Sequence, residues 1–238
     1  MRDVGWFRSI CADNGMMLSD DQLSQFEKYR ELLVSANRNL NLISRKDEEN
    51  FYPNHALNSV SFLFSRCLKK AASIVDLGTG GGLPGIPIRI IYPESGVVFV
   101  DSITKKTSAL SGIVEEMGLK NCAVVNGRGE TLAGERDFKG RFDYVVSRAA
   151  GKLDEVAKWS RGFLRRHETA AGETIPVGTL IVLKGGEFDE ELKHARSNKF
   201  IDSVVVYDTV FDGMDEIYNK EKKLVLINYK QDPFRRQD

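Results

Sequence analysis

The chain is expected to fold as an α/β protein. Its core is a doubly wound, mostly parallel sheet of seven strands spanning residues 71 to 238, entered through a helical extension formed by residues 1 to 70. Three observations lead there. Residues 1 to about 70 carry apolar side chains at helical spacing and no strand candidate. From Ser73 onward, short β-branched runs alternate with helical stretches, the pattern of successive βαβ units. The first of these runs breaks into glycines and resumes as a helix, giving I-V-D-L-G-T-G-G-G-L-P-G-I-P from Ile74 to Pro87.

In the extension, Ser19-Asp20-Asp21-Gln22 has the form of a capping box. Leu23, Phe26, Leu33 and Leu40 follow it on one helical face. Asn39 to Arg45 alternates polar and apolar residues over a stretch too short to assign. Asn54 to Ser59 opens another helix, with Val60, Leu63, Phe64 and Leu68 directed inward. Strands are then expected near 74 to 77, 97 to 101, 122 to 126, 142 to 147, 178 to 184, 203 to 210 and 223 to 229, ending in an antiparallel pair. The intervening helices fall at 85 to 92, 104 to 118, 153 to 165 and 188 to 197. His167 to Pro176, polar and rich in small residues, reads as an exposed loop.

The glycine stretch carries the first functional signal. Gly78, Gly80, Gly82 and Gly85 have no Cβ to block close approach of a ligand to the backbone. Taken from Gly80, G-G-G-L-P-G also fits the dinucleotide spacing G-x-G-x-x-G. Asp76 at the strand end separates the two readings, because a carboxylate there repels a pyrophosphate and attracts the amino group of a cationic ligand. With it the motif is D-x-G-x-G-x-G, which looks like motif I of the class I S-adenosylmethionine-dependent methyltransferases. A second acidic strand end supports this: Val97 to Val100 closes on Asp101, 25 residues past Asp76. That is close to the interval of about 20 at which a carboxylate takes ribose hydroxyls.

The 34 basic and 34 acidic residues cancel, so no global field draws the chain to nucleic acid or membrane, and a polyanion must be met locally. Arg128 to Arg166 is such a region, with ten Lys or Arg against six Asp or Glu. Within it, Lys158, Arg161 and Arg165 are placed to track phosphates from one helix face or to form an ordinary solvated face. Cys11, Cys67 and Cys122 are odd in number and far apart, so neither a disulfide framework nor a zinc or other metal site is indicated. With no signal-peptide pattern and no membrane-length apolar run, a cytoplasmic location is expected.

Further motifs make the resemblance specific. H-A-L-N-S (55 to 59), D-L-G-T-G-G-G-L-P-G-I-P, F-V-D-S (99 to 102), F-D-Y-V-V-S-R-A (142 to 149) and L-K-G (183 to 185) resemble the bacterial RsmG family, also called glucose-inhibited division protein B. The resemblance implies a 16S rRNA (guanine-N7)-methyltransferase that uses S-adenosylmethionine and meets its substrate in the 30S subunit. It places cofactor contacts on Gly78 and Leu83 in the loop, on Gly129 and Glu130 after the third strand, and on Arg148, with Asp101 at the ribose. Asp76, Gly80 and Gly82 complete the expected cofactor set. The chain departs from the family pattern at Asn58, where an aspartate is usual, and in reading G-T-G-G-G where G-T-G-P-G is common.

Guanine nitrogen-7 presents an in-plane lone pair and no proton, so methyl transfer to it needs orientation rather than a general base. No Ser/His/Asp or Cys/His constellation is found, in keeping with that. Arg148, Lys184 and His55 are the residues expected at the reacting centre. Arg148 and Lys184 end the fourth and fifth strand candidates, at the sheet edge where ligands bind. Arg can donate twice to the oxygen-6 edge of guanine or hold a phosphate. His55 can stack on a base, contact a phosphate, or simply begin a helix. The rival functions are a methyltransferase of the same fold acting on a small molecule or protein, an inactive RNA- or nucleotide-binding module, and a nicotinamide dehydrogenase, which Asp76 argues against.

Overall fold

The seven β-branched runs form one sheet in the computed structural model, which describes residues 2–167, 174–213 and 222–230. The strands are β1 (Ser73–Leu77), β2 (Gly96–Asp101), β3 (Cys122–Asn126), β4 (Tyr144–Arg148), β5 (Thr179–Gly185), β6 (Ile201–Asp208) and β7 (Lys222–Tyr229). They lie in the order β3-β2-β1-β4-β5-β7-β6. β1 pairs in parallel with both β2 and β4, so Val75 faces Val98 on one side and Val145 on the other. From β1 the chain steps outward to β2 and β3, then returns to β4 on the opposite side. That reversal opens a crevice at the carboxyl ends of the strands. β7 inserts antiparallel between β5 and β6. β1 and β4 are covered on both faces, which is why they read as continuous apolar runs rather than alternating ones.

Alternation along each strand divides the core in two. Ile74, Phe99 and Tyr144 pack into one cluster, while Val75, Leu77, Val145 and Leu180 pack into the other. The second cluster is covered by α6 (Gly129–Leu132), α7 (Leu153–Ser160) and α8 (Asp189–Ser197). The first is covered by α4 (Gly85–Ile91), α5 (Thr104–Glu116) and the helical N-terminal segment. In that segment α1 (Val4–Asp13) precedes α2 (Asp20–Asn37), whose N-terminus is closed by the capping box. The Ser19 hydroxyl accepts from Gln22 N at 3.2 Å, and the Gln22 amide oxygen accepts from Ser19 N at 3.0 Å. Phe26 and Leu33, wholly buried on α2, each contribute about 2 to 3 kcal/mol by burial.

Several boundaries differ from the sequence pattern for local physical reasons. Leu40 lies beyond α2, which stops where Asn37 turns its amide oxygen onto the backbone N–H groups of Leu42 and Ile43, at 2.8 and 3.1 Å. The helix expected from Asn54 is irregular. A π-helical turn, Tyr52–Leu57, runs into the short α3 (Asn58–Val60) and a 3-10 turn, Ser61–Phe64. The helix expected over 153 to 165 ends at Ser160. Beyond it the chain turns extended, because Phe163 and Leu164 are buried and residues 163 to 165 bridge to Phe142. Arg165 therefore does not share a helix face with Lys158: it pairs with the buried Asp143 at 3.1 Å, while Arg161 lies over the Phe200 ring. The single-face phosphate track is not formed.

Of the loop His167 to Pro176, residues 168–173 lie outside the described residues, and Ile175 at its end is wholly buried. Among the described residues, no helix is long and apolar enough to cross a membrane.

Candidate active site

The turn that follows β1 is fastened mainly by itself. Asp76 is wholly buried, and its Oδ2 accepts from the Thr79 hydroxyl at 2.6 Å and from Gly85 N at 2.9 Å, tying the end of the strand to the start of α4. A Cβ on Gly85 would stand 2.6 Å from both that oxygen and the Phe99 ring, so only glycine fits there. The N–H groups of Gly78 and Thr79 donate to Val100 O at 2.8 and 3.0 Å, while α2 pins the loop from above through Tyr29 Oη, which donates to Gly81 O at 2.9 Å. Leu83 packs beneath the loop in the core. Much of the close approach that the glycines permit is thus chain to chain.

Burial raises the Asp76 carboxyl to about 7, against the hydrogen bonds from Thr79 and Gly85, which favour the ionised form. Because the folded-state value lies above the ordinary value of 3.8, Asp76 contributes full stability below that pH and loses it progressively as pH rises to about 7. Asp76→Asn keeps an acceptor and removes the ionisation. It is expected to melt at a higher temperature than wild type at pH 8, with the advantage gone at pH 4. Thermal unfolding followed across that range checks this, and equal melting temperatures at pH 8 would contradict it.

A cavity of about 260 Å³ opens at the carboxyl ends of the central strands. Leu77 and Gly78 from the end of β1 and Val100 and Asp101 from the end of β2 form its floor. The turn Gly127 to Glu130 closes one side, and Ala149, Ala150 and Trp159 close the other. Asp101 is held rigidly, since its Oδ2 accepts from Gly80 N at 3.0 Å and its Oδ1 from Ile103 N at 2.9 Å. Gly78 sits at φ +71°, and a Cβ there would lie 2.3 Å from Ala150 Cβ. A Cβ on Gly129 would lie 2.6 Å from Leu77 Cδ1. Among the residues marked in sequence, Gly78, Asp101, Gly129 and Glu130 line the cavity. Asp76, Gly82 and Leu83 are buried in the frame of the loop, while Gly80 is partly exposed and donates its N–H to Asp101.

Arg148, the last residue of β4, reaches across to the π-helical turn. Its Nη1 donates to Asn54 O at 3.2 Å, and its Nη2 meets His55 Nδ1 at 3.0 Å. A guanidinium has no acceptor, so Nδ1 must accept and the His55 proton resides on Nε2. Nε2 is buried without a hydrogen-bond partner. Burial, then the Arg148 charge, lowers His55 to about 4, so it is neutral at pH 7. Asn58 is half-buried on the next turn of the same segment. Lys184 is held elsewhere, its ammonium 2.5 Å from Glu191 Oε2 on α8 and 3.4 Å from Gly151 O. The structure thus brings Arg148 and His55 together and turns Lys184 toward α8. Ala150, Trp159, Ile103 and Lys106 line the cavity although the sequence pattern does not single them out. Trp159 carries a weak signal, being a large aromatic near the end of a short helix at the sheet's carboxyl edge.

A family model described as rRNA small subunit methyltransferase G matches residues 22–225. Two relatives carry the name ribosomal RNA small subunit methyltransferase G. The protein from Porphyromonas gingivalis is 38% identical over 210 residues, covering 88% of each chain. The protein from Parabacteroides distasonis is 40% identical over 210 residues, covering 88% of this chain and 84% of its own. Among solved structures, a predicted O-methyltransferase from Agrobacterium tumefaciens superimposes with a TM-score of 0.55 at 12% identity, covering 74% of this chain and 81% of that one. This last likeness concerns the fold alone.

Proposed function

The chain belongs to the rRNA small subunit methyltransferase G family, and from that premise we propose that it transfers a methyl group from S-adenosylmethionine to nitrogen-7 of a guanine in 16S rRNA. The substrate is the 30S subunit, met in the cytoplasm. Residues 71 to 238 serve as the methyltransferase domain, with residues 1 to 70 as a helical extension that completes its core.

Asp101 carries the reading. Its carboxylate closes a strand at the crevice, is fixed by two backbone amides, and lines the cavity. A carboxylate so placed retains lone pairs for ribose hydroxyls. Gly78 and Gly129 also line the cavity, and a side chain on either would collide with Ala150 or Leu77, two other lining residues. Glu130, at the mouth, is half-exposed and paired at 3.7 Å with Arg128, leaving it open to further donors. Bound there, S-adenosylmethionine supplies an electrophilic methyl carbon.

The chain's own task is alignment. Nitrogen-7 has no proton to lose, and the neutral His55 is not called upon as a base. Arg148 stands at the β4 edge, next to the cavity wall formed by Ala149 and Ala150. Its guanidinium acts there on the oxygen-6 edge of guanine or on an adjacent phosphate, steering the nucleophile toward the methyl group.

Asp101→Ala is expected to weaken S-adenosylmethionine and S-adenosylhomocysteine equally, by about 1 to 3 kcal/mol, because ribose recognition does not distinguish sulfonium from thioether. Calorimetry with both ligands tests this, alongside a melting curve to account for the bond to Gly80 N. Unchanged affinity for both would move the ribose elsewhere.

A further inference from the structure

We propose that His55 is a positioning residue for methyl transfer. Its imidazole Nδ1, together with the neighbouring Asn54 carbonyl, locks the Arg148 guanidinium into a single plane. This rests on the functional reading of Arg148 given above.

A guanidinium on three methylenes has many rotamers, and an Arg at a strand end is ordinarily free to use them. Here two of its nitrogens donate to two consecutive residues of one turn, Nη1 to Asn54 O and Nη2 to His55 Nδ1. Two bonds at fixed spacing define a plane as well as a direction. The turn that offers them is π-helical, a local widening often found at functional sites.

His55 is built to accept and to do nothing else at this contact. It is wedged by Phe51 at 6.3 Å between ring centroids, and Ser59 Oγ donates to its carbonyl at 2.7 Å, so neither ring nor backbone is loose. Burial, then the charge of Arg148 from β4, keeps the ring neutral; Asp47 from the 3-10 turn Arg45–Asp47 opposes this and Lys222 from β7 adds to it. A protonated imidazole would set an N–H against the guanidinium and break the lock.

The test compares His55→Asn, whose amide oxygen can reach the place of Nδ1, with His55→Leu, which fills the volume and accepts nothing. Both are assayed for folding by thermal unfolding and for S-adenosylmethionine affinity. At saturating cofactor, His55→Leu is expected to lower single-turnover methylation of 30S subunits by about tenfold or more, the scale of loss that misorientation causes. His55→Asn is expected to recover most of it. The Arg148 guanidinium nitrogens, followed by NMR, should show restricted exchange in wild type and in His55→Asn, and averaging in His55→Leu. Added to Arg148→Lys, His55→Leu should cost little more. Restricted Arg148 nitrogens in His55→Leu, or an undiminished His55→Leu loss in the Arg148→Lys background, would overturn the proposal. Wild-type turnover in Arg148→Lys alone would instead overturn the reading it rests on, and the NMR signal would still decide whether His55 holds the guanidinium.

Discussion

Gly78→Val is expected to abolish measurable S-adenosylmethionine binding, with a loss of at least about a hundredfold, or roughly 2.7 kcal/mol. Two effects act together. A β-branched residue is strained at φ +71°, and its Cβ would enter the space of Ala150, 2.3 Å from that residue's Cβ. One of the two must move, and both line the cavity. The displacement thus narrows the ligand's own space. The strand behind it should survive, since β1 is held by β2 and β4 on its two sides. Calorimetry on a variant with native circular dichroism checks the result. Wild-type affinity in that folded variant would place the cofactor elsewhere.

Arg148→Lys is expected to keep the fold and the charge while lowering methylation of 30S subunits by at least about tenfold, equivalent to roughly 1.4 kcal/mol of transition-state binding. An ammonium cannot reproduce a planar fork that spans Asn54 O and His55 Nδ1 and still presents donors to a substrate. The loss should persist at saturating S-adenosylmethionine, where a weakened cofactor contact of Arg148 no longer limits turnover. Wild-type turnover under those conditions would make Arg148 a structural strut of the π-helical turn.

The order of strands and helices is legible because the central strands are buried on both faces. Val97 to Val100 and Tyr144 to Val146 announce themselves through composition alone. What the sequence could not reveal depends on contacts between distant residues. The helix after β4 stops at Ser160 because Phe163 and Leu164 find burial beside Phe142, some twenty residues earlier. Lys184, next to last in β5, pairs with Glu191 on α8, a contact that its own segment does not announce.

The glycine loop was legible as a motif and only partly as a mechanism. Asp76 looks in sequence like a carboxylate offered to a cationic ligand; Thr79 and Gly85 engage its Oδ2, while its buried Oδ1 has no hydrogen-bond partner among the described residues. Asp101, expected from sequence at the ribose, is the carboxylate that lines the cavity. The His55–Arg148 contact joins two residues noted separately, 93 positions apart, and nothing in either local pattern foretells it.

The central claim is that this chain methylates a guanine of 16S rRNA at nitrogen-7. It is tested most directly by incubating the purified protein with 30S subunits and methyl-labelled S-adenosylmethionine, then locating the label by nuclease digestion and mass spectrometry. Label is expected in 16S rRNA as 7-methylguanosine, absent when Gly78→Val replaces wild type. Label at another atom or base, or none in the RNA despite tight S-adenosylmethionine binding, would contradict it.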